Sequence, residues 1–335
     1  MATQIVYSNE FNKHDSIGHP ENARRLDVIM NEIKKFSILD DIEFFQPEIL
    51  PEENLYEIHN SKMIEQIKEI SSTDGSWIDP DTYVCKDDYE TARLAAGGLV
   101  MACNRVLDGK ADNAFVLARP PGHHATRDRS MGFCLFNNIA IAAHEISKKN
   151  KRVLIFDHDV HHGNGTQDIF YHRDDVMYQS FHLSPHYPGT GDIDEIGTGN
   201  GAGYTINTPL SYGNGNDAVT EILDKVFIII AKEFKPDIIL FSAGFDSHHL
   251  DPLGGLKLTS NFYGEIIQKF QKIQPKIVCT LEGGYNFKWI GKCVVSQLSQ
   301  MTGNNVRFDD CVKENVNVKE VIERIKGEIG NFWKI

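Results

Sequence analysis

Residues 156–167 read FDHDVHHGNGTQ and follow the apolar run VLI directly. Two aspartates and three histidines fall within Asp157–His162. Buried charge is costly unless it is paired or bound to metal. If the segment is extended, Asp159 and His161, two positions apart, point to one side. They then offer a carboxylate oxygen and an imidazole nitrogen to one point, which suits zinc with its N and O ligands at about 2.0–2.2 Å. Such a site needs a third protein ligand and an open position for water. Asp246, in SAGFD at the end of another apolar run, is the candidate. A helix cap combined with a structural ion pair is the plainer reading of the same residues.

His123 and His124 stand in tandem after RPPG. Under two carboxylate ligands, a metal-bound water is less acidic than under three neutral ones, so a separate base is needed. Either histidine titrates in the right range. Each needs a partner on its second nitrogen, and Asp157 and Asn164 are near in the chain cluster. In LEGGY (281–285) the glycines allow a tight turn that brings Tyr285 inward. There a phenol can donate a hydrogen bond to a developing oxyanion; core packing is the alternative for a lone tyrosine. GTGNGAG (197–203) lacks the spacing of a nucleotide-binding loop and no amphipathic helix follows it, so it reads as a connection.

The elements that must position these groups alternate. QIVYS (4–8), NAFVLA (113–118), RVLIFD (152–157), DVMYQSF (175–181), DIILFSA (237–243) and KIVCTLE (276–282) read as strands. Segments 87–109, 137–149, 216–234 and 261–273 read as helices. Wholly apolar strands separated by helices predict an α/β fold: a mostly parallel sheet covered on both faces. In such sheets ligands bind beyond the carboxyl ends of the strands. Four predicted strands run there into RPPGHHA, DHDVHHGNG, GFDSHH and EGGY. With no repeat and no low-complexity linker, one domain is expected over 1–335. Within it, 303–335 forms a peripheral tail carrying a helix near 318–329.

The 335-residue chain is 41% hydrophobic, enough for a substantial core, and carries a formal charge of −13. That balance repels nucleic acid and suits cationic partners, though acidity serves solubility equally well. The longest apolar run, VFIIIA, is far too short to span a bilayer. No signal sequence is visible at the start, and the six cysteines lack CxxC spacing. They read as small core residues of a cytoplasmic protein. Oligomeric state is not legible.

RPPGHHA, GFCLFNN, DHDVHHGNGTQ, SFH with PGTG, GFD with DPLGG, and LEGGY follow one another over 119–285, and GHPENARRL (18–26) precedes them. Together they resemble the histone deacetylase superfamily, specifically class II-like enzymes and their prokaryotic amidohydrolase, acetoin-utilization and acetylpolyamine relatives. The resemblance implies the arginase–deacetylase fold and a Zn²⁺-dependent deacetylase, with Fe²⁺ suited to the same ligands. It implies Asp159, His161 and Asp246 as metal ligands, His123 paired with Asp157, His124 with Asn164, and Tyr285 as oxyanion donor. Gly132, Phe133 and Tyr187 would wall the lysine tunnel, with Asp81 binding the substrate backbone. A structural K⁺ would take carbonyls of Asp157, Asp159, His161 and Phe181 with the Ser180 hydroxyl. The substrate would be an acetylated lysine in a protein or peptide, or a small acetylated amine. Polyamine-selective relatives carry glutamate where Leu253 stands, which favours acyl-lysine over acetylpolyamine. A binuclear manganese ureohydrolase on the same fold would need a carboxylate where Gly244 stands. A non-catalytic acyl-lysine binder would not need the complete set of ligands, histidines and tyrosine.

Overall fold

In a computed structural model, which describes residues 2–36 and 41–335, the sheet has eight strands. These are β1 (Thr3–Val6), β2 (Ile42–Phe45), β5 (Asn113–Val116), β6 (Val153–Asp157), β7 (Val176–Leu183), β8 (Thr205–Leu210), β9 (Ile238–Ala243) and β10 (Ile277–Leu281); β3 (Ser76–Trp77) and β4 (Tyr83–Val84) form a separate antiparallel pair. The spatial order is β2-β1-β5-β10-β9-β6-β7-β8. Every neighbouring pair in it is parallel, so the sheet is wholly rather than mostly parallel.

Every residue of β5, β6, β9 and β10 is buried, as expected for strands covered on both faces. These four strands are consecutive neighbours, and they are the ones whose carboxyl ends carry the four polar clusters. The sheet order therefore brings the clusters together. Edge strands were harder to read. β8 contains Pro209, which has no N–H to give a ladder and is tolerated at an edge. In β2 only Ile42 is buried.

The predicted helices occur at Asp88–Leu107, Asn138–Ser147 and Ser260–Gln271. The fourth runs from Asn216 to Phe234, with a widened turn at Leu223–Phe227. Arg24–Ile33 begins inside GHPENARRL and buries Arg25, Leu26, Ile29 and Ile33. The tail helix, Lys319–Ile329, buries Ile322, Ile325 and Ile329, while Trp333 Nε1 donates to Gly203 O at 2.6 Å. Four cysteines are buried as expected, but Cys85 is half-buried and Cys311 is exposed, so these two are not core residues.

A buried ion network joins the N-terminal segment to the sheet. Glu21 bonds Arg25 Nη1 (2.9 Å) through Oε1 and Arg119 Nη2 (2.7 Å) through Oε2. All three residues are fully buried. Removing one member of such a network leaves uncompensated charge, at a cost of about 3–5 kcal/mol. Glu21→Gln should therefore lower the urea midpoint at neutral pH. Burial opposes the Glu21 charge, but Arg119 and His14 outweigh it and hold the carboxyl well below its usual range. A depressed carboxyl contributes its full stability above the unfolded value and loses it as pH falls through the folded one. The wild-type advantage should thus persist through mildly acidic pH and shrink only at strongly acidic pH.

Candidate functional site

Three donors converge beyond β6 and β9. His161 Nδ1 lies 3.0 Å from Asp159 Oδ1 and 3.2 Å from Asp246 Oδ2. One ligand atom from each of the three residues lies within 4.8 Å of the others. The segment does not reach this geometry as an extended strand: it bends after Asp157. Asp157 Oδ1 accepts the Asp159 N–H at 3.1 Å, and Asp159 Oδ1 accepts the His161 N–H at 3.0 Å. These side-chain-to-backbone bonds, each two residues on, turn the chain locally. The other oxygens are anchored, Asp246 Oδ1 by the Val160 N–H (2.9 Å) and Asp159 Oδ2 by the Gly283 N–H (2.8 Å).

The set fits a divalent cation. Among the described residues, none makes a well-formed hydrogen bond to the buried Asp246 Oδ2, and His161 Nδ1 at 3.2 Å is its one near neighbour of opposite sign, an arrangement costly for a carboxylate unless a cation meets it. Burial opposes charge on His161, yet the two carboxylates outweigh it and lift the ring to about 10. Burial and the neighbouring Asp159 push Asp246 up to about 7. The donors thus demand positive charge at their centre, which an ion supplies while leaving the imidazole neutral. A Cβ at Gly244 would overlap the Asp159 carboxylate, and one at Gly283 would overlap those of Asp159 and Asp246. Position 244 therefore has no room for the extra carboxylate of a binuclear site.

The histidine pair lies beside this set. His123 Nδ1 is 3.0 Å from Asp157 Oδ2, which also accepts from Tyr178 Oη at 3.2 Å. His124 Nδ1 is 2.8 Å from Asn164 Oδ1. An amide oxygen only accepts, so Nδ1 of His124 carries the hydrogen and Nε2 keeps a lone pair. Burial lowers both rings. For His123 the carboxylates of Asp157 and Asp159 outweigh burial and lift it to about 10. Among the described residues no carboxylate hydrogen-bonds His124, and burial together with the charges of His123 and His161 outweighs the pull of Asp159 and holds it well below its usual value. A pair split in this way has one proton holder and one proton acceptor.

These groups open onto a cavity of about 210 Å³ whose lining includes Asp81, Gly132, Phe133, Tyr187, Leu253 and Tyr285. Each of the expected tunnel residues is thus on its wall. Gly132 adopts φ +56, and a Cβ there would crowd the His124 ring. Phe133 adopts φ +70, a conformation costly for a bulky residue. Its ring stands edge-on to Tyr285 (5.9 Å) and to His19 (4.6 Å). Tyr187 stands edge-on to His124 at 5.1 Å. Burial, together with Asp246 and Asp159, raises the Tyr285 phenol well above its ordinary value despite Arg25, so it keeps its proton.

Comparison with known proteins decides the family. Residues 19–301 match the histone deacetylase domain. A probable deacetylase of Archaeoglobus fulgidus is 39% identical over 295 residues, covering 85% of this chain and 82% of that protein. A histone deacetylase-like amidohydrolase of Pseudomonas aeruginosa is 33% identical over 277 residues, covering 80% and 73%. The crystal structure of the HDA15 HD domain superposes with a TM-score of 0.93 at 32% identity, covering 99% of this chain and 95% of that one.

The chain belongs to the histone deacetylase family. It has that family's fold, and it is a hydrolase of amide bonds. Among the described residues, no helix is long and apolar enough to cross a membrane.

Within this deacetylase several supporting residues escaped the sequence reading. His186 stacks on His161 at 4.9 Å and donates through Nε2 to Leu253 O at 3.2 Å. His158 is neutral, pushed by burial to about 4, and its Nδ1 donates to Gly244 O at 2.8 Å. Glu282 accepts the N–H groups of Gly122 (2.7 Å) and His123 (3.2 Å). Arg25 Nε donates to Gly284 O at 2.8 Å, and Nη2 bonds Glu282 O. None of these contacts has a spacing signal, since the partners lie on different elements and loops of the chain. Charged residues at helix starts and in glycine turns were the only hint.

Proposed function

We propose that this chain is a Zn²⁺-dependent deacetylase that removes an acetyl or short acyl group from a lysine side chain or a related amine. Asp159 and Asp246 meet at His161, and His161 shares one cavity with His124, whose Nε2 is left free of Asn164, and with Tyr285; this arrangement carries the reading. Zn²⁺, or Fe²⁺ on the same ligands, would polarise the amide carbonyl and make a bound water more acidic. His124 takes the proton of the attacking water on Nε2, oriented through Nδ1 by Asn164. Tyr285 donates to the oxyanion of the tetrahedral intermediate. His123, held charged by Asp157, keeps positive charge beside that oxyanion. The proton gathered by the pair passes to the leaving nitrogen, releasing acetate and the free amine.

A structural K⁺ at the carboxyl ends of β6 and β7 belongs to the same reading. His182 Nε2 donates to Gly191 O (2.9 Å), so its Nδ1 must accept from Ser180 Oγ (3.0 Å). The Ser180 lone pairs are then available to a cation beside Asp157, its register partner. Carbonyls of Asp157, Asp159, His161 and Phe181 would complete the shell. A single catalytic domain over 1–335 in the cytoplasm fits the common hydrophobic cluster, which reaches from Ile5 to Trp333, and the six unpaired cysteines.

The apolar wall at Leu253 favours acyl-lysine over acetylpolyamine. Asp81 at the same cavity and the −13 charge favour the polyamine. N8-acetylspermidine hydrolysed far faster than acetyl-lysine peptides would reverse the preference.

A fluorogenic acetyl-lysine reporter tests the activity itself. The zinc-loaded protein should release the fluorophore, and Tyr285→Phe should lower kcat by about 10²–10³, the effect of losing one oxyanion donor. A non-catalytic binder would show no turnover in either protein.

A further inference from the structure

Tyr285 sits on a segment with little of its own to fix it. Gly283 and Gly284 precede it, with Gly284 at φ +114. Among the described residues, no protein group bonds its hydroxyl. The backbone is held instead. Asp251 Oδ2 accepts the N–H of Tyr285 at 2.6 Å and that of Asn286 at 3.0 Å. Its other oxygen, Oδ1, accepts the N–H of Leu253 at 3.0 Å. On the far side, Arg25 takes the carbonyls of Gly284 and Glu282, and its guanidinium lies 5.1 Å from the Tyr285 ring centre. One carboxylate therefore ties the backbone of Tyr285 and that of Leu253, two cavity-lining residues from the loops after β10 and β9, into one unit.

We propose that Asp251 is a positioning residue: it places the Tyr285 hydroxyl through the backbone and the Leu253 wall through its second oxygen. The inference rests on the reading of Tyr285 as oxyanion donor. Asp251 is not among the residues that line the cavity; its hydrogen bonds reach the cavity through two wall residues it holds, Tyr285 and Leu253. A glycine-rich segment freed of its anchor shifts easily, and a misplacement of about 1 Å can cost on the order of 10²-fold in rate.

A double-mutant cycle with Tyr285→Phe separates this from general support of the fold. Asp251→Ala should lower kcat by about 10- to 100-fold in the wild-type background, and by less than about threefold once the hydroxyl is gone. Its rise in KM, carried by Leu253, should persist in both backgrounds. Asp251→Asn keeps the shape but turns one acceptor into a donor. It can serve only one of the two sides, so it should lose less than the alanine variant. Zinc content should stay at one per chain throughout. Amide hydrogen exchange gives a readout independent of turnover: Tyr285 and Asn286 should lose protection in Asp251→Ala. A kcat loss that multiplies in full onto Tyr285→Phe would overturn the proposal, as would unchanged protection at 285–286. An inactive wild-type protein would sink the deacetylase reading instead, and exchange at 285–286 would then decide whether Asp251 holds the segment.

Discussion

Asp246→Ala is expected to bind no stoichiometric zinc and to hydrolyse no acetylated substrate above the blank. Asp246 is the donor contributed from the end of β9, and the other two, Asp159 and His161, both follow β6. Deleting it leaves two protein ligands, one fewer than a catalytic zinc site uses. The variant should nevertheless fold. It loses the hydrogen bond from the Val160 N–H and the contact with His161 Nδ1, but one of two mutually repelling buried carboxylates has gone. Thermal melts distinguish the two effects. Zinc at a hundredfold excess over Kd should stabilise the wild-type protein by about 2.7 kcal/mol and leave the variant unmoved. One tightly held zinc per chain in the variant, with turnover retained, would refute the assignment.

The site was more legible than its scaffold, and the reason is physical. Metal and proton chemistry draws on few side chains, so Asp159, His161 and Asp246 announce themselves by type wherever they fall. Their register at the strand ends follows from apolar runs that stop abruptly at polar clusters. The four central strands were readable because both faces are buried and the runs are unbroken. β2 and β8 were not: edge positions leave one side free, so Glu43 and Pro209 interrupt the pattern without cost. The groups that hold the site, namely Arg25, Glu282, Asp251 and His186, act mainly through backbone atoms of residues distant in sequence. The bond that the His123 N–H donates to Glu282 spans 159 positions. Only the sheet order β5-β10-β9 makes it short. The bend at Asp157–His161 leaves no trace in the sequence for a related reason. Alternation in an extended strand and turns closed by aspartate side chains put the same two residues on one side.

His124→Ala should reduce kcat by about 10²–10⁴, the range for a positioned general base, with KM changed little. The argument rests on which nitrogen is free. Asn164 Oδ1 can only accept, so it fixes the hydrogen on Nδ1 and presents the Nε2 lone pair to the cavity. His123 cannot substitute, because Asp157 and Asp159 keep its proton in place. Asn164→Asp is the informative companion. A carboxylate at that position would stabilise the charged form of His124 and raise its pKa. The ring would then be protonated over a wider pH range, and the acidic limb of kcat/KM should move to higher pH while zinc content stays constant. An unshifted limb, or a His124→Ala variant that retains most of its turnover, would transfer the base role to His123. The division of labour inferred from their unlike partners would then fail.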